Sequence, residues 1–151
     1  MTKLSLEQAI RNAIEVEEAA ARFYKLLADS TADVKAKKFL EKMIAEEQGH
    51  ARAIEDMGKE LTNGKIPGRP DDNCEIVETA PEWAYMDDIS YGQALEIALD
   101  AENHAALYYS AVADGFTGPV SEFFRSLSST EEQHIKNLQE TIKTLKKGIN
   151  K

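Results

Sequence analysis

The chain has 151 residues, of which only 8 are Gly and 4 are Pro, a length and composition that suit one helical domain with its own core. Its formal net charge of −9 would repel phosphate backbones and anionic lipids, so we expect no binding to nucleic acid or to membrane surfaces. The single cysteine, Cys74, excludes an internal disulfide and any paired-cysteine redox or zinc site.

The N-terminal part of the chain predicts a helical hairpin. Ser5 and Gln8 fit a capping box, in which the Ser side chain accepts from a backbone N–H of the first turn, so we expect a helix from about Leu6 to Ala28. A turn at residues 29–31 leads into a second helix, from about Ala32 to Leu61. The residues before Ser5 contain no apolar run, so we expect no signal peptide, no membrane span and a cytoplasmic location.

A connection of about residues 62–89 separates this hairpin from the rest of the chain. It contains two glycines and three prolines beyond Thr62, so it cannot be one long helix. It is too long for a tight turn, but it is long enough to run back along a bundle, so that the third helix starts at the same end as the second. We expect Trp83 and Tyr85 within it to cover the bundle as hydrophobic packing.

The C-terminal part of the chain predicts a second helical hairpin. Ser90 and Gln93 fit the same capping box, which indicates a third helix from about Tyr91 to Asp114. Residues 115–118 form the next turn. Pro119 suits the first position of a fourth helix, which we expect to end at about Lys147.

The two hairpins are copies of one internal repeat. Residues 5–30 and 90–115 are identical at ten of 26 aligned positions, with an offset of 85. Residues 39–50 align with residues 123–134 at an offset of 84, because the second interhelical turn is one residue shorter. We therefore expect a single domain over residues 1–151, an all-α four-helix bundle with one long crossover between helices 2 and 3. Its parts are hairpin 1 (about 5–61), the crossover (about 62–89) and hairpin 2 (about 90–147).

Each predicted helix carries an ionisable residue at mid-length on its apolar face. Glu17 interrupts the apolar stripe of the first helix, and Glu102 interrupts that of the third. The second and fourth helices each carry a Glu-x-x-His motif at the corresponding place. No Lys or Arg falls on these stripes, so burying four carboxylates there would be very costly unless cations compensate their charge. The candidate metal ligands are Glu17, Glu47, His50, Glu102, Glu131 and His134.

The spacing of these residues suits a pair of metal ions. Residues three apart share one face of a helix, so the Glu and the His of each motif can approach the same metal pair. Two such motifs, together with one Glu from each of the other two helices, form the ligand set of di-iron carboxylate sites. Carboxylate and imidazole ligands suit iron, so we expect two Fe ions, for which Mn or Zn could substitute.

The competing interpretation is a metal-free bundle whose carboxylates are solvated. One Glu-x-x-His motif would be weak evidence for a site, because 18 of the 151 residues are Glu. However, two of the three histidines carry the motif, and both motifs fall in register in the repeat. Glu46, Glu132 and His104 fall off the inner face, and for these three we expect ordinary solvated side chains. Glu17 is a better candidate than Glu18, because the repeat aligns Glu18 with Asn103.

Two tyrosines are candidates for a role beside the metal ligands. Tyr24 and Tyr109 each lie seven residues after a candidate glutamate, two turns along the same helix face. One interpretation is simple core packing. The other is a hydrogen bond from the phenol to a ligand carboxylate on the facing helix.

These motifs together resemble the ferritin-like superfamily, and most closely its rubrerythrin-like branch. The resemblance lies in Glu17-x6-Tyr24 and Glu102-x6-Tyr109, with a Glu-x-x-His motif on each of the other two helices. It covers both hairpins and implies a ferritin-like bundle. It further implies a non-haem di-iron oxidoreductase active in oxidative stress, which reduces peroxide or oxygen or oxidises Fe(II).

The resemblance also implies roles and partners. Glu47 and Glu131 would bridge the two ions, while Glu17 and Glu102 would be terminal ligands. A separate donor such as a rubredoxin-like protein would supply electrons, because the chain lacks the paired CxxC motifs of a rubredoxin domain. A homodimer is the expected assembly.

The sequence departs from its relatives at two informative positions. Ala105 stands where rubrerythrins carry a further glutamate after the ligand of the third helix. Gln48 stands where bacterioferritins carry the methionine that binds haem, so we expect no haem. Two alternatives share the same ligands: an iron sensor or carrier without turnover, and a di-iron hydroxylase of an unknown organic substrate.

Overall fold

The computed structural model describes residues 5–70 and 88–149, and these ranges contain four long helices. Within these ranges there is no β-strand, which confirms the predicted all-α four-helix bundle. None of these helices combines the length and the apolar character needed to cross a lipid bilayer. The helices are α1 (Leu6–Ser30), α2 (Val34–Thr62), α3 (Tyr91–Asp114) and α4 (Gly118–Ile149).

The predicted capping residues begin α1 and α3. The Ser5 hydroxyl accepts a hydrogen bond from the backbone N–H of Gln8 at 3.1 Å. The Ser90 hydroxyl accepts from Gln93 N at 3.2 Å, and the Gln93 side chain accepts from Ser90 N at 2.9 Å, which completes the capping box. These local bonds satisfy backbone donors that a helix start leaves without an intrahelical partner.

The turn of the first hairpin lies slightly later than predicted. Helix α1 continues to Ser30 rather than ending at Ala28, and α2 begins at Val34 rather than at Ala32. The physical reason is the cap of α2, which is Asp33: its Oδ1 accepts from Lys35 N at 3.0 Å and from Ala36 N at 3.2 Å. The turn therefore occupies residues 31–33, two residues beyond the predicted position.

The starts of α2 and α3 lie side by side at one end of the bundle. Asp33 Oδ2 accepts a hydrogen bond from Tyr91 N at 2.9 Å, and Asp88 Oδ1 accepts from Ala32 N at 2.7 Å. Helices α2 and α3 therefore run in the same direction, which is the one-crossover arrangement predicted from the length of the connection. The predicted packing of Trp83 and Tyr85 on the bundle concerns residues 71–87, which lie outside the described residues.

The buried apolar side chains form two clusters, separated along the bundle axis. The first cluster lies at the end where α2 and α3 begin; its largest members include Tyr24, Leu27, Leu40 and Leu95. The second cluster lies at the opposite end; it includes Ile10, Ile54, Tyr109 and Phe124. Between the two clusters is one level of polar residues, and the predicted ligands lie at that level on all four helices.

Candidate metal centre

The six predicted ligands meet at the middle of the bundle. The side chains of Glu17, Glu47 and Glu102 are fully buried, and Glu131 is 1% exposed. The two histidine side chains are 21% and 23% exposed. The centre is therefore closed on its glutamate side and reaches solvent on its histidine side, between α2 and α4.

One group of potential ligands gathers around His50. Its Nδ1 atom lies 3.5 Å from Glu17 Oε2 and 4.0 Å from Glu47 Oε2. The ligand atoms of these three residues all lie within 4.8 Å of one another, close enough to share a single metal ion. Helices α1 and α2 supply all three, so this group belongs to the first hairpin.

Glu131 connects the first hairpin to the second. Its Oε1 lies 3.6 Å from His50 Nδ1, and its Oε2 lies 3.8 Å from His134 Nδ1. These three residues form a second group whose ligand atoms lie within 4.8 Å of one another. Glu102 approaches from α3, with its Oε2 3.8 Å from His134 Nδ1. The imidazole rings of the two histidines are nearly parallel, with centroids 5.4 Å apart.

The carboxyl of Glu17 is held in its charged form despite burial. Burial alone would raise its pKa, but side-chain hydrogen bonding with Glu47 and His50 and the charge of His50 lower it, and the hydrogen bond from Tyr109 lowers it further. The net effect is a pKa below the ordinary value of 4.5. In return, Glu17 raises the pKa of His50 against the opposing effect of burial, so this histidine holds its proton more strongly than a free imidazole.

The carboxyl of Glu102 behaves in the opposite way. Burial raises its pKa above 4.5, and the neighbouring charge of Glu17 adds to the increase, although His134 opposes it. His134 has a raised pKa because the Glu102 carboxylate stands beside it, while burial acts in the other direction. The two glutamates that the repeat makes equivalent therefore differ in how firmly they hold a proton.

The two candidate tyrosines are both fully buried. The Tyr109 hydroxyl donates a hydrogen bond of 2.7 Å to Glu17 Oε1, across the bundle from α3 to α1. Its ring also stacks on Phe124, so this residue combines core packing with a bond to a candidate ligand. Tyr24 packs its ring against Phe23, with centroids 4.2 Å apart.

The buried oxygen atoms of the centre suit a cation. Among the described residues, neither oxygen of Glu102 has a hydrogen-bond partner, and the same holds for Oε2 of Glu17 and Oε2 of Glu131. No lysine or arginine in the described ranges forms a salt bridge with these three glutamates. Buried carboxylate oxygens without donors are costly, and a bound divalent metal would satisfy them. The residues present therefore fit a metal pair of the kind predicted.

The acidic neighbours of the centre lie outside it. The Glu18 side chain is 45% exposed and pairs with Arg11 at 3.7 Å, and Glu132 is exposed. The third histidine, His104, is half-exposed beside Asp100. Glu46 is only partly exposed and raises the pKa of His134 through its charge, so it stands close to the histidine edge.

A cavity beside His134 was not predicted from the sequence. It has a volume of about 460 Å³ and lies between α2 and α4. Lysines at positions 35, 38 and 42 line one wall. Their spacing of three and four residues is the sequence pattern that could have indicated a shared helix face.

Comparisons with known proteins agree with this geometry. No curated protein matches the sequence significantly. A solved structure of a hypothetical protein from Pyrococcus furiosus is similar in fold, with a TM-score of 0.63 and 22% identity over 96% of this chain and 92% of that chain. The family model named rubrerythrin matches residues 8–91 and 93–151. The chain therefore belongs to the rubrerythrin family of di-iron carboxylate proteins, as its repeated ligand motifs indicate.

Proposed function

We propose that this protein is a non-haem di-iron oxidoreductase that reduces peroxide or oxygen and can oxidise Fe(II). The observation that carries the proposal is the convergence of four buried glutamates and two histidines. Among the described residues, both oxygens of Glu102 and the Oε2 atoms of Glu17 and Glu131 have no hydrogen-bond donor. Membership of the rubrerythrin family also supports a di-iron centre in this protein. The metal ligands would be Glu17, Glu47, His50, Glu102, Glu131 and His134.

The arrangement of the ligands supports distinct roles for them. Glu131 directs one oxygen toward each histidine, as a carboxylate that bridges two ions would. Family resemblance assigns Glu47 the same role, with Glu17 and Glu102 as terminal ligands. A pair of Fe(II) ions supplies two electrons when bound, and reduction of one peroxide to two waters consumes two electrons and two protons.

The protein itself contributes shielding, access and proton storage. The two apolar clusters above and below the centre exclude water from the glutamate side. The partly exposed histidine edge admits a small reactant between α2 and α4. Because the neighbouring glutamates raise the pKa of both histidines, each binds a proton more tightly than a free imidazole, and that proton would compete with a metal ion for the ring nitrogen.

We also propose two partners. Electrons would come from a separate donor such as a rubredoxin-like protein, since one cysteine cannot hold a rubredoxin iron. A second copy of the chain would pair through outer helix faces. Exposed apolar side chains such as Leu26, Val34 and Leu107 support this assembly, because helix pairs commonly cover such residues.

The first test is an anaerobic titration with Fe(II), followed by addition of hydrogen peroxide or oxygen. We expect saturation near two irons per chain, and then a near-ultraviolet band of oxo-bridged ferric iron. Steady-state consumption of peroxide with a reductant would establish turnover, and binding without turnover would favour a sensor or carrier.

A Glu47→Ala variant provides the matched test of the ligand assignment. Removal of a ligand at the buried end of the centre should abolish paired iron loading. Intact loading of two irons in this variant would defeat the proposed ligand set. Glu41→Ala is the control, because Glu41 is an exposed glutamate of the same helix and belongs to neither group of potential ligands.

A further inference from the structure

The seam between α2 and α4 contains a cavity. Helix α1 packs mainly on α2, and α3 packs mainly on α4, so the two helices that carry the Glu-x-x-His motifs are left farther apart. The cavity of about 460 Å³ occupies this seam, and His134 lines its inner end. A volume of this size exceeds what peroxide or oxygen needs and is typical of sites for small organic molecules.

One wall of the cavity is positively charged. Lys35, Lys38 and Lys42 follow one another on the same face of α2, and all three are exposed. None of them forms a salt bridge with a described carboxylate, although the charge of Lys35 also acts on the nearby Asp33 carboxyl, so the three ammonium groups can contact a ligand. In a chain with a net charge of −9, such a row creates a local positive field that attracts anions.

The floor of the cavity is apolar. It is formed by Phe39, Met43, Tyr91 and Leu138, from three different helices. The rings of Phe39 and Tyr91 meet edge to face with centroids 6.0 Å apart, which gives this floor a fixed shape. A small inorganic anion would leave this surface in contact with water, whereas a hydrocarbon or aromatic body would cover it.

The inner end of the cavity carries the opposite charge. Glu46, one turn after Lys42, lines the cavity close to His134. Its carboxylate would repel the acidic group of a ligand, so that group would point outward to the lysines. The body of the ligand would then point inward to the histidine edge of the centre.

We propose that this cavity binds an amphipathic organic acid, with its carboxylate on Lys35, Lys38 and Lys42 and its apolar body directed toward His134. The proposal goes beyond the proposed oxidoreductase function and concerns binding alone. It does not depend on the identity of the metal. Its failure and the failure of iron loading are therefore separate results.

The test uses the full-length chain, both loaded with iron and after iron removal. Decanoate is titrated by calorimetry beside three matched compounds: decanol, decyltrimethylammonium and acetate. We expect saturable binding of decanoate in both forms of the protein, at least about tenfold tighter than that of decanol or acetate and tighter still than that of the cation. Equal binding of decanoate and decanol would overturn the role of the lysines.

Two double variants separate the lysine row from general charge. Lys38→Glu with Lys42→Glu should weaken decanoate binding at least about tenfold. The control, Lys37→Glu with Lys136→Glu, changes the net charge equally at exposed positions outside the cavity and should stay within about twofold. An equal loss in the control would show that net charge, not the cavity, governs binding.

The orientation has its own measurement. Decanoate should shift the imidazole resonances of His134 in a nuclear magnetic resonance titration and leave those of the exposed His104 unchanged. Saturable binding without any effect on His134 would place the body of the acid elsewhere and overturn the orientation.

Discussion

The two hairpins supply equivalent glutamates to the centre, but they do not give them equivalent surroundings. Glu17 accepts a hydrogen bond from Tyr109 and lies 3.5 Å from His50, and its pKa is lowered. Glu102 lies 3.8 Å from His134, has no hydrogen-bond partner among the described residues, and has a raised pKa. A sequence repeat thus preserves the position of a candidate ligand without preserving its electrostatics.

The histidines differ in the same sense. His50 has three carboxylates within 4.0 Å, from Glu17, Glu47 and Glu131, whereas His134 has two, from Glu102 and Glu131. More negative charge therefore surrounds His50 than His134. We expect the two metal positions to differ in affinity, with the Glu17 side filling first.

The largest expected effect comes from removing the residue that both sides share. Glu131→Ala should reduce iron loading from about two ions to one or fewer per chain, because Glu131 faces both histidines. Metal analysis after anaerobic loading measures the effect. Glu132→Ala, the exposed neighbour, is the control and should load normally. Paired loading in Glu131→Ala would mean that the two sides do not share this carboxylate.

The opposite pKa shifts of Glu17 and Glu102 predict opposite effects of pH on the metal-free protein. The raised pKa of Glu102 means that its folded state binds protons more tightly than its unfolded state, so its contribution is fully present below 4.5 and is lost as pH rises through the folded pKa. The lowered pKa of Glu17 contributes stability above 4.5, which is lost as pH falls through the folded pKa.

Two isosteric variants measure these contributions by urea unfolding across pH in a chelator. At neutral pH, Glu102→Gln should change the stability of the metal-free protein less than Glu17→Gln does, because burial raises the pKa of Glu102 and its charged form contributes less to stability. Glu17→Gln should instead lower the free energy of unfolding above pH 4.5, and the variant should lose less stability in acid than the wild type. The same sign and size of change in both variants at neutral pH would show that the two glutamates are equivalent after all.

The hydrogen bond from Tyr109 accounts for part of this asymmetry. Tyr109→Phe should lower the free energy of unfolding by about 1.5–3 kcal/mol, since the bond is made to a charged, buried carboxylate. A double-mutant cycle with Glu17→Gln isolates the interaction from the loss of packing. Tyr24→Phe, the matched change in the other hairpin, leaves this bond intact and should show little coupling to Glu17.

Periodicity in the sequence was sufficient to predict most of the fold. The helix faces, the two serine caps and the parallel course of α2 and α3 follow from local rules, namely spacing, capping and the length of the connection. The shift of the first turn does not follow from such local rules. Asp33 caps α2 in place of the predicted turn residues, and it also accepts a hydrogen bond from Tyr91, 58 positions away. A residue that accepts hydrogen bonds from the starts of two helices far apart in sequence cannot be recognised from the sequence around it.

The level at which the ligands meet was also predictable, but their individual contacts were not. Helical spacing places a glutamate on an inner face, yet it does not decide which phenol reaches which oxygen. The direction of the Tyr109 side chain depends on packing against Phe124 and on the distance between α1 and α3. The lysine-lined cavity depends on the width of a seam between helices that are not neighbours in sequence.

The smallest expected effect concerns the contact that joins the hairpins away from the centre. Asp33 caps α2 and also accepts from Tyr91 N at the start of α3, and these backbone donors hold its pKa below the ordinary value. Asp33→Ala should lower the melting temperature by a few degrees, more than Ser5→Ala, which removes a single capping bond within one hairpin.

The pH dependence of this difference identifies its source. The contribution of Asp33 should disappear as pH falls through its lowered pKa, because the neutral carboxyl accepts the three N–H bonds less well. The melting temperatures of the wild type and Asp33→Ala should therefore converge in acid, while the difference for Ser5→Ala stays constant. A pH-independent difference would indicate that Asp33 acts through helix propensity alone. The hairpins would then be held together by their apolar clusters and the shared metal centre.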